Sequence, residues 1–140
     1  VSVVAEFHFD FGNPPFPVNT LQLMRGCYVA RREGCFERYV DEVYRHMGSE
    51  PKKMDEPDVA RAALEASGLP AESILSGVGD PAVKRALPEA TEASVARGSF
   101  GCPTFFVGDE IFFGKDRLRD VEEEILARSG AAGGPGGEGA

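Results

Sequence analysis

The sequence predicts an α/β chain whose small sheet is split between its two ends, with a helical subdomain inserted between the halves. Three observations carry that reading. Near the N terminus Phe7, Phe9 and Phe11 alternate with Glu6, His8 and Asp10, the period-two pattern of a half-buried strand. Near the C terminus two short apolar runs, Thr104–Val107 and 111–113, flank Gly108-Asp109-Glu110, a loop of hairpin length. The stretch between them is dominated by helical spacing and helix punctuation.

The first strand, over 3–11, is broken by Gly12-Asn13-Pro14-Pro15. Asn19 followed three positions later by Gln22 predicts a capping box and a helix running to about Glu33. Phe36, Tyr39, Val40, Val43, Tyr44 and Met47 then form the apolar stripe of a second helix that ends near Gly48. A polar link over 49–56 leads to Pro57 and an alanine-rich helix that Gly68 terminates, and Pro70 begins a shorter helical piece. Asp80-Pro81 opens the next helix in cap-then-proline order, with Val83, Leu87, Ala90, Thr91 and Val95 at helical spacing. Pro88 removes an internal donor and predicts a kink, and Gly98 suits the exit.

Cys102-Pro103 places proline at the entrance of a strand, one of the few sheet positions that tolerates it, and a cis peptide is expected there. Gly114-Lys115-Asp116 closes the hairpin and starts a last helix whose Leu118, Val121, Ile125 and Leu126 share one face. The remaining 130–140 carries no large apolar side chain whose burial would offset the entropy of ordering, which predicts a disordered tail.

At 140 residues the chain suits one compact domain, or a small sheet domain carrying an inserted helical lobe. A formal charge of −8 and a pI near 4.8 argue against nucleic-acid or anionic-membrane partners. No leader-like or membrane-spanning stretch is legible, so a cytoplasmic location is expected. Three cysteines at spacings unlike metal-site pairs predict reduced thiols and no structural zinc; His8 and His46 lack companion ligands, so no metal site is expected.

The run RGSFGCPTFFVGDEIFFGKDRL, from Arg97 to Leu118, carries a resemblance. Gly98, Phe100, Gly101, Pro103, Thr104, Phe105, Phe106 and Val107 follow the pattern G-x-F-G-x-P-T-F-F-V, and Phe112, Gly114, Asp116, Arg117 and Leu118 follow F-x-G-x-D-R-L. This resembles the C-terminal half of the DsbA-related family that contains 2-hydroxychromene-2-carboxylate isomerases and kappa-class glutathione transferases. Phe16-Pro17-Val18-Asn19-Thr20, Asp80-Pro81-Ala82-Val83-Lys84 and Ala90-Thr91-Glu92 are similar to earlier family segments, so the likeness covers roughly 16–129. It implies a reduced thioredoxin-like (DsbA-like) sheet built from 1–17 and 99–129, with 18–98 as the inserted helical subdomain.

The resemblance also implies glutathione as cofactor and a small aromatic-derived carboxylate as substrate. By family position, Cys102 and Pro103 would meet the cysteinyl part of glutathione through the main chain, and Lys115 and Asp116 would hold its γ-glutamyl group. Read from the residues alone, Cys102 is a small apolar side chain, Asp116 a helix cap and Arg117 a solvated first-turn charge. Cys27 and Cys35 read as helix-packing residues. The family motif after the first strand, D-F-x-S-P, is here Asp10-Phe11-Gly12-Asn13-Pro14, so Asn13 stands at the position of the thiolate-stabilising serine. An amide can donate to a thiolate, and Asn13 can equally serve only to shape a turn.

Because Pro15-Phe16-Pro17 follows so soon, the resemblance implies that this chain lacks the first helix and second strand of the family's thioredoxin unit. The first strand's open edge then predicts a homodimer. Three functions follow: a glutathione-dependent isomerase or transferase, a noncatalytic thioredoxin-like binding module, or a thiol-disulfide oxidoreductase. The last needs paired cysteines at the start of the first helix, and 9–20 holds none.

Overall fold

A computed structural model describes residues 12–131, leaving the expected strand over 3–11 and most of the 130–140 tail outside the described residues. The chain divides into two compact units, Val1–Glu89 and Ala90–Ala140.

The first unit is helical. It contains α1 (Leu21–Arg32), α2 (Phe36–Met47), α3 (Pro57–Ala66), α4 (Ala71–Gly77) and the start of α5 (Pro81–Ala96). Its helix ends are chemical. Pro57 occupies the first turn of α3, where its missing N–H costs nothing, and Asp80 Oδ1 accepts the Ala82 amide at 2.8 Å to cap α5. The expected Asn19/Gln22 capping box does not form. Asn19 Oδ1 takes the Leu21 amide at 3.0 Å, while the backbone N–H of Asn19 is already satisfied by Asp55 Oδ2 at 3.1 Å, so Gln22 has no donor to reach back for. Pro88 sits inside α5 without ending it, on an exposed stretch where water can meet the carbonyl it leaves unpaired.

Val29, Ala30, Tyr39, Leu64, Ile74 and Val83 form the main core cluster with their neighbours, joining α1 to α5. Leu23, Met54, Ala60 and Ala63 form a second. Each fully buried large aliphatic chain stabilises the unit by about 1.5–3 kcal/mol. Cys27 and Cys35 pack half-buried against the main cluster, as expected of helix-packing residues. Gly26 permits the tightest feature, since a Cβ there would lie 2.7 Å from Tyr39 Cζ. Without it, Tyr39 lies 1 % exposed and donates its hydroxyl to Leu23 O at 2.9 Å.

The stripe expected on α2 is corrected at two positions. Tyr44 is 75 % exposed, whereas His46 is buried at 1 %. A polar side chain takes the interior place because it is paired there. Lys52 Nζ lies 2.6 Å from His46 Nδ1, and His46 Nε2 lies 3.0 Å from Ser67 Oγ, which lies 2.7 Å from Glu42 Oε2. An ammonium can only donate, so the imidazole proton sits on Nε2; Lys52 donates to His46, His46 to Ser67 and Ser67 to the Glu42 carboxylate, which accepts. Burial first, then Lys52 and Arg45, push the His46 imidazole below its ordinary value against the pull of Glu42 and Glu50.

The second unit holds the antiparallel pair β1 (Thr104–Val107) and β2 (Glu110–Phe113), a 3-10 turn at Lys115–Arg117, and α6 (Leu118–Ala131). The pairs run Thr104↔Phe113, Phe105↔Phe112, Phe106↔Ile111 and Val107↔Glu110. The loop is therefore Gly108-Asp109, one residue shorter than expected. Gly108, at φ +59°, adopts the left-handed turn conformation that a side chain disfavours, and so lets Glu110 face Val107. Cys102-Pro103 is cis, as the sequence led us to expect; Phe16-Pro17 is also cis.

α6 runs through Ala131, past the boundary expected at 130. Of its apolar face only Val121 is buried, because β1 is the strand it packs on and a two-stranded hairpin covers little of it. Leu118, Ile125 and Leu126 remain exposed. No helix among the described residues is long and apolar enough to cross a membrane.

Candidate functional site

The residues singled out by sequence fall in two places, one in each unit. In the second unit the approach to β1 is a tight turn closed by Thr104, whose Oγ1 donates to Gly101 O at 2.6 Å. Within that turn Cys102 and Pro103 are both exposed. The Pro103 carbonyl accepts the Gly114 amide at 2.9 Å, one residue beyond the last strand pair, and this bond brings the start of the 3-10 turn beside Cys102-Pro103. The hairpin thus gathers four expected ligand residues: Cys102 and Pro103 on one side, Lys115 and Asp116 on the other.

Lys115 Nζ and Asp116 Oδ1 lie 2.6 Å apart with side chains 82 % and 84 % exposed. The carboxylate raises the Lys115 ammonium above its ordinary value. Asp116 lies inside the 3-10 turn at Lys115–Arg117 and makes no capping bond, so the helix-cap reading of Asp116 is corrected; Gly114 occupies the cap position. Arg117 pairs with Asp120 at 2.7 Å, as a first-turn surface charge would. Two features that sequence reasoning missed brace the hairpin. Arg97 stacks 3.8 Å above the Phe106 ring and donates to Gly108 O at 2.9 Å, and the Phe100 and Phe113 rings meet at 4.5 Å. Their signal was the aromatic spacing itself, which shows that rings are present but not which cation covers them.

In the first unit Asn13 is exposed, and its side chain has no hydrogen-bond partner among the described residues. Its backbone setting is more defined. Gly12 N donates to Gly48 O at 2.8 Å, Lys53 Nζ donates to Pro17 O at 2.9 Å, and Asp55 Oδ2 accepts from Asn19 N at 3.1 Å. The Asn19 amide is the leading cause that holds the Asp55 carboxyl below its usual range. Clefts also open on this unit. One of about 440 Å³ is edged by Asn19, Asp55, Arg61 and Glu72, and a smaller, almost wholly apolar one of about 260 Å³ lies along Met24, Cys27, Val43 and Met47. Among the described residues no group of three or more His, Cys, Asp or Glu side chains is placed to hold a metal ion.

Chemically, the second-unit cluster offers an exposed strand approach next to one positive and one negative charge. The first-unit position offers a neutral amide donor.

Comparison with known proteins identifies the family of the chain. The profile of the DSBA-like thioredoxin domain matches residues 4–126. The 2-hydroxychromene-2-carboxylate isomerase of Sphingobium xenophagum is 33% identical over 100 residues, covering 69% of this chain and 50% of that protein. Its counterpart from Pseudomonas putida is 28% identical over 111 residues, covering 79% and 55%. A solved 2-hydroxychromene-2-carboxylate isomerase superposes with a TM-score of 0.71 at 27% identity over 86% of this chain and 60% of that one. The chain spans about half the length of the curated relatives it matches. It belongs to the DsbA-like thioredoxin domain family, with a helical unit and a small antiparallel sheet.

Proposed function

We propose that this chain serves a glutathione-dependent isomerase of the 2-hydroxychromene-2-carboxylate type, acting on a small aromatic-derived carboxylate. The observation that carries the proposal is the Gly114 N to Pro103 O bond, which sets the opposite charges of Lys115 and Asp116 beside the exposed Cys102-Pro103 turn. A γ-glutamyl head group bears one ammonium and one carboxylate, so an exposed acid–base pair matches it charge for charge. The main chain before β1 is the strand-like surface on which a short peptide can align. Bound there, glutathione would supply a nucleophilic thiol able to add reversibly to an unsaturated ring-opened or hemiketal substrate and to be released unchanged.

The chain's own residues have three tasks in this reading. Lys115 and Asp116 anchor the head group and Cys102 and Pro103 align the tripeptide backbone; for Asn13, at the position of the family serine, the resemblance implies the role of a hydrogen-bond donor to the thiolate. The family serine would do the last task with a hydroxyl. Replacing Asn13 by Ser therefore raises glutathione-dependent turnover, and Asn13→Ala lowers it, in an assay that follows substrate absorbance at fixed glutathione. Equal rates for the three proteins would remove Asn13 from the mechanism.

The asparagine at this position also favours a second reading: a thioredoxin-like module that binds glutathione or a thiol peptide without turnover. We also expect a homodimer, because Phe100, Leu118 and Leu126 leave apolar surface uncovered on the second unit. A folded monomer in sedimentation would exclude it.

A further inference from the structure

The segment carrying Asn13 has no regular secondary structure before α1, yet it is fastened along its length to the loop between α2 and α3. The fastenings are the Gly12 amide on Gly48 O, the Lys53 ammonium on Pro17 O and the Asn19 amide on Asp55 Oδ2. They are spread across 12–19, so the strap is held at its start, middle and end. Two of the three depend on side chains of the loop, and those side chains are themselves locked, with Lys53 Nζ 3.2 Å from Asp55 Oδ1 and both half-buried. The loop is in turn anchored to α2, since Lys52 reaches His46 through its ammonium at 2.6 Å and through its backbone amide to His46 O at 2.9 Å.

A backbone segment without a ladder of its own takes its conformation from such side-chain partners. Pro14, Pro15 and Pro17 leave 12–19 with few backbone donors, and the two that the loop captures are at the ends, Gly12 and Asn19. In the middle the fastening that forms is on the Pro17 carbonyl, and a carbonyl needs a long donor from outside. Lys53 is that donor.

We propose that Lys53 and Asp55 are positioning residues for the Asn13 amide: their clamp on Pro17 O and Asn19 N fixes the strap and so the direction in which Asn13 points. This deepens the isomerase reading and rests on it for its catalytic consequence. Lys53 touches no reacting atom in this account and acts through the strap alone.

The test is backbone and side-chain amide ¹⁵N relaxation of the full chain, combined with glutathione-dependent turnover, for wild type, Lys53→Met, Lys53→Arg and Asp55→Asn. Lys53→Met removes the donor and keeps the apolar stem; Lys53→Arg keeps a cation that reaches the same carbonyl. We expect Lys53→Met to raise the mobility of 12–18 and of the Asn13 side-chain amide, with the α1 to α4 amides unchanged. We expect kcat to fall by about tenfold to a hundredfold, the upper figure being the cost of a catalytic group misplaced by about 1 Å. KM for glutathione stays constant, because Lys115 and Asp116 carry that binding. Lys53→Arg restores both readouts. Asp55→Asn, which leaves Asn19 N an acceptor, shows a smaller change in the same residues.

Unchanged relaxation over 12–18 in Lys53→Met would overturn the clamp, as would a loss of kcat that Lys53→Arg does not rescue. A wild-type chain without turnover would defeat the isomerase reading instead, and the relaxation data would still decide whether the clamp orders the strap.

Discussion

Replacing Gly26 by Ala should destabilise the helical unit, although alanine is the better helix former. The helix-propensity gain of Gly→Ala in a helix interior is about 1 kcal/mol. Against it stands the Tyr39 ring, because a Cβ at Gly26 would lie 2.7 Å from Cζ, well inside contact distance. Tyr39 is 1 % exposed in the main core cluster with Leu64 and Ile74, so the ring can retreat only by displacing packed neighbours, at about 1–3 kcal/mol. Retreat also breaks the 2.9 Å bond from the Tyr39 hydroxyl to Leu23 O, worth about 1 kcal/mol. The sum is a net loss of about 1–3 kcal/mol.

Urea unfolding followed by far-UV circular dichroism would show this as a lower midpoint at unchanged slope. Repeating the substitution in the Tyr39→Phe background removes the nearest clashing atom and the hydrogen bond together, so the additional cost of Gly26→Ala should shrink by about 1 kcal/mol. A Gly26→Ala protein as stable as wild type, or two substitutions whose effects simply add, would refute the packing argument.

Two further outcomes concern pH and the hairpin. The His46 imidazole is depressed in the folded chain relative to about 6.5 unfolded, so at pH values just below 6.5 the unfolded chain binds more protons. Stability contributed by His46 is thus present above pH 6.5 and is lost as pH falls through 6.5 toward the folded value; unfolding midpoints at pH 7.5 and 5.5 should differ in that order, and His46→Gln should flatten the difference. The Glu42 and Glu50 carboxyls are held below their ordinary range chiefly by Ser67 and Lys52 respectively, each with Arg45, so their contribution disappears only at more acid pH, below about 4.5.

Thr104→Val keeps a β-branched strand residue but deletes the bond to Gly101 O, which should cost about 1 kcal/mol and loosen the Cys102-Pro103 turn. Glutathione affinity should fall about fivefold in calorimetry if that energy is expressed at the turn. Unaltered affinity would show that glutathione does not use the turn.

How much of this was legible depended on whether a feature leaves a local pattern. The helix ends at Gly48 and Gly68, the Pro57 and Pro81 starts and the hairpin at Gly108 each follow from backbone chemistry within a few residues, and the structure matches them closely. Apolar periodicity was less informative where tertiary partners decide. Tyr44 fits the stripe of α2 as well as Tyr39 does, but the interior place went to His46 because Lys52 and Ser67, six and twenty-one residues away, satisfy its ring. The apolar face of α6 was read correctly as a pattern, yet only Val121 finds cover.

The candidate site divides in the same way. Lys115 and Asp116 lie beside Cys102-Pro103 because hairpin register forces residues flanking the two strands together, which spacing alone implies. The strap on Pro17 and Asn19 left no trace, since Lys53 and Asp55 sit in a polar link without periodicity and bind backbone atoms more than thirty residues away, 36 in both cases.

Titration calorimetry of reduced glutathione into the folded chain at neutral pH, with Asp116→Ala alongside, tests the central claim most directly. Saturable binding to the wild-type chain, lost or strongly weakened by Asp116→Ala, is the expected result. Absence of binding to a folded wild-type chain, or binding indifferent to Asp116→Ala, would contradict it.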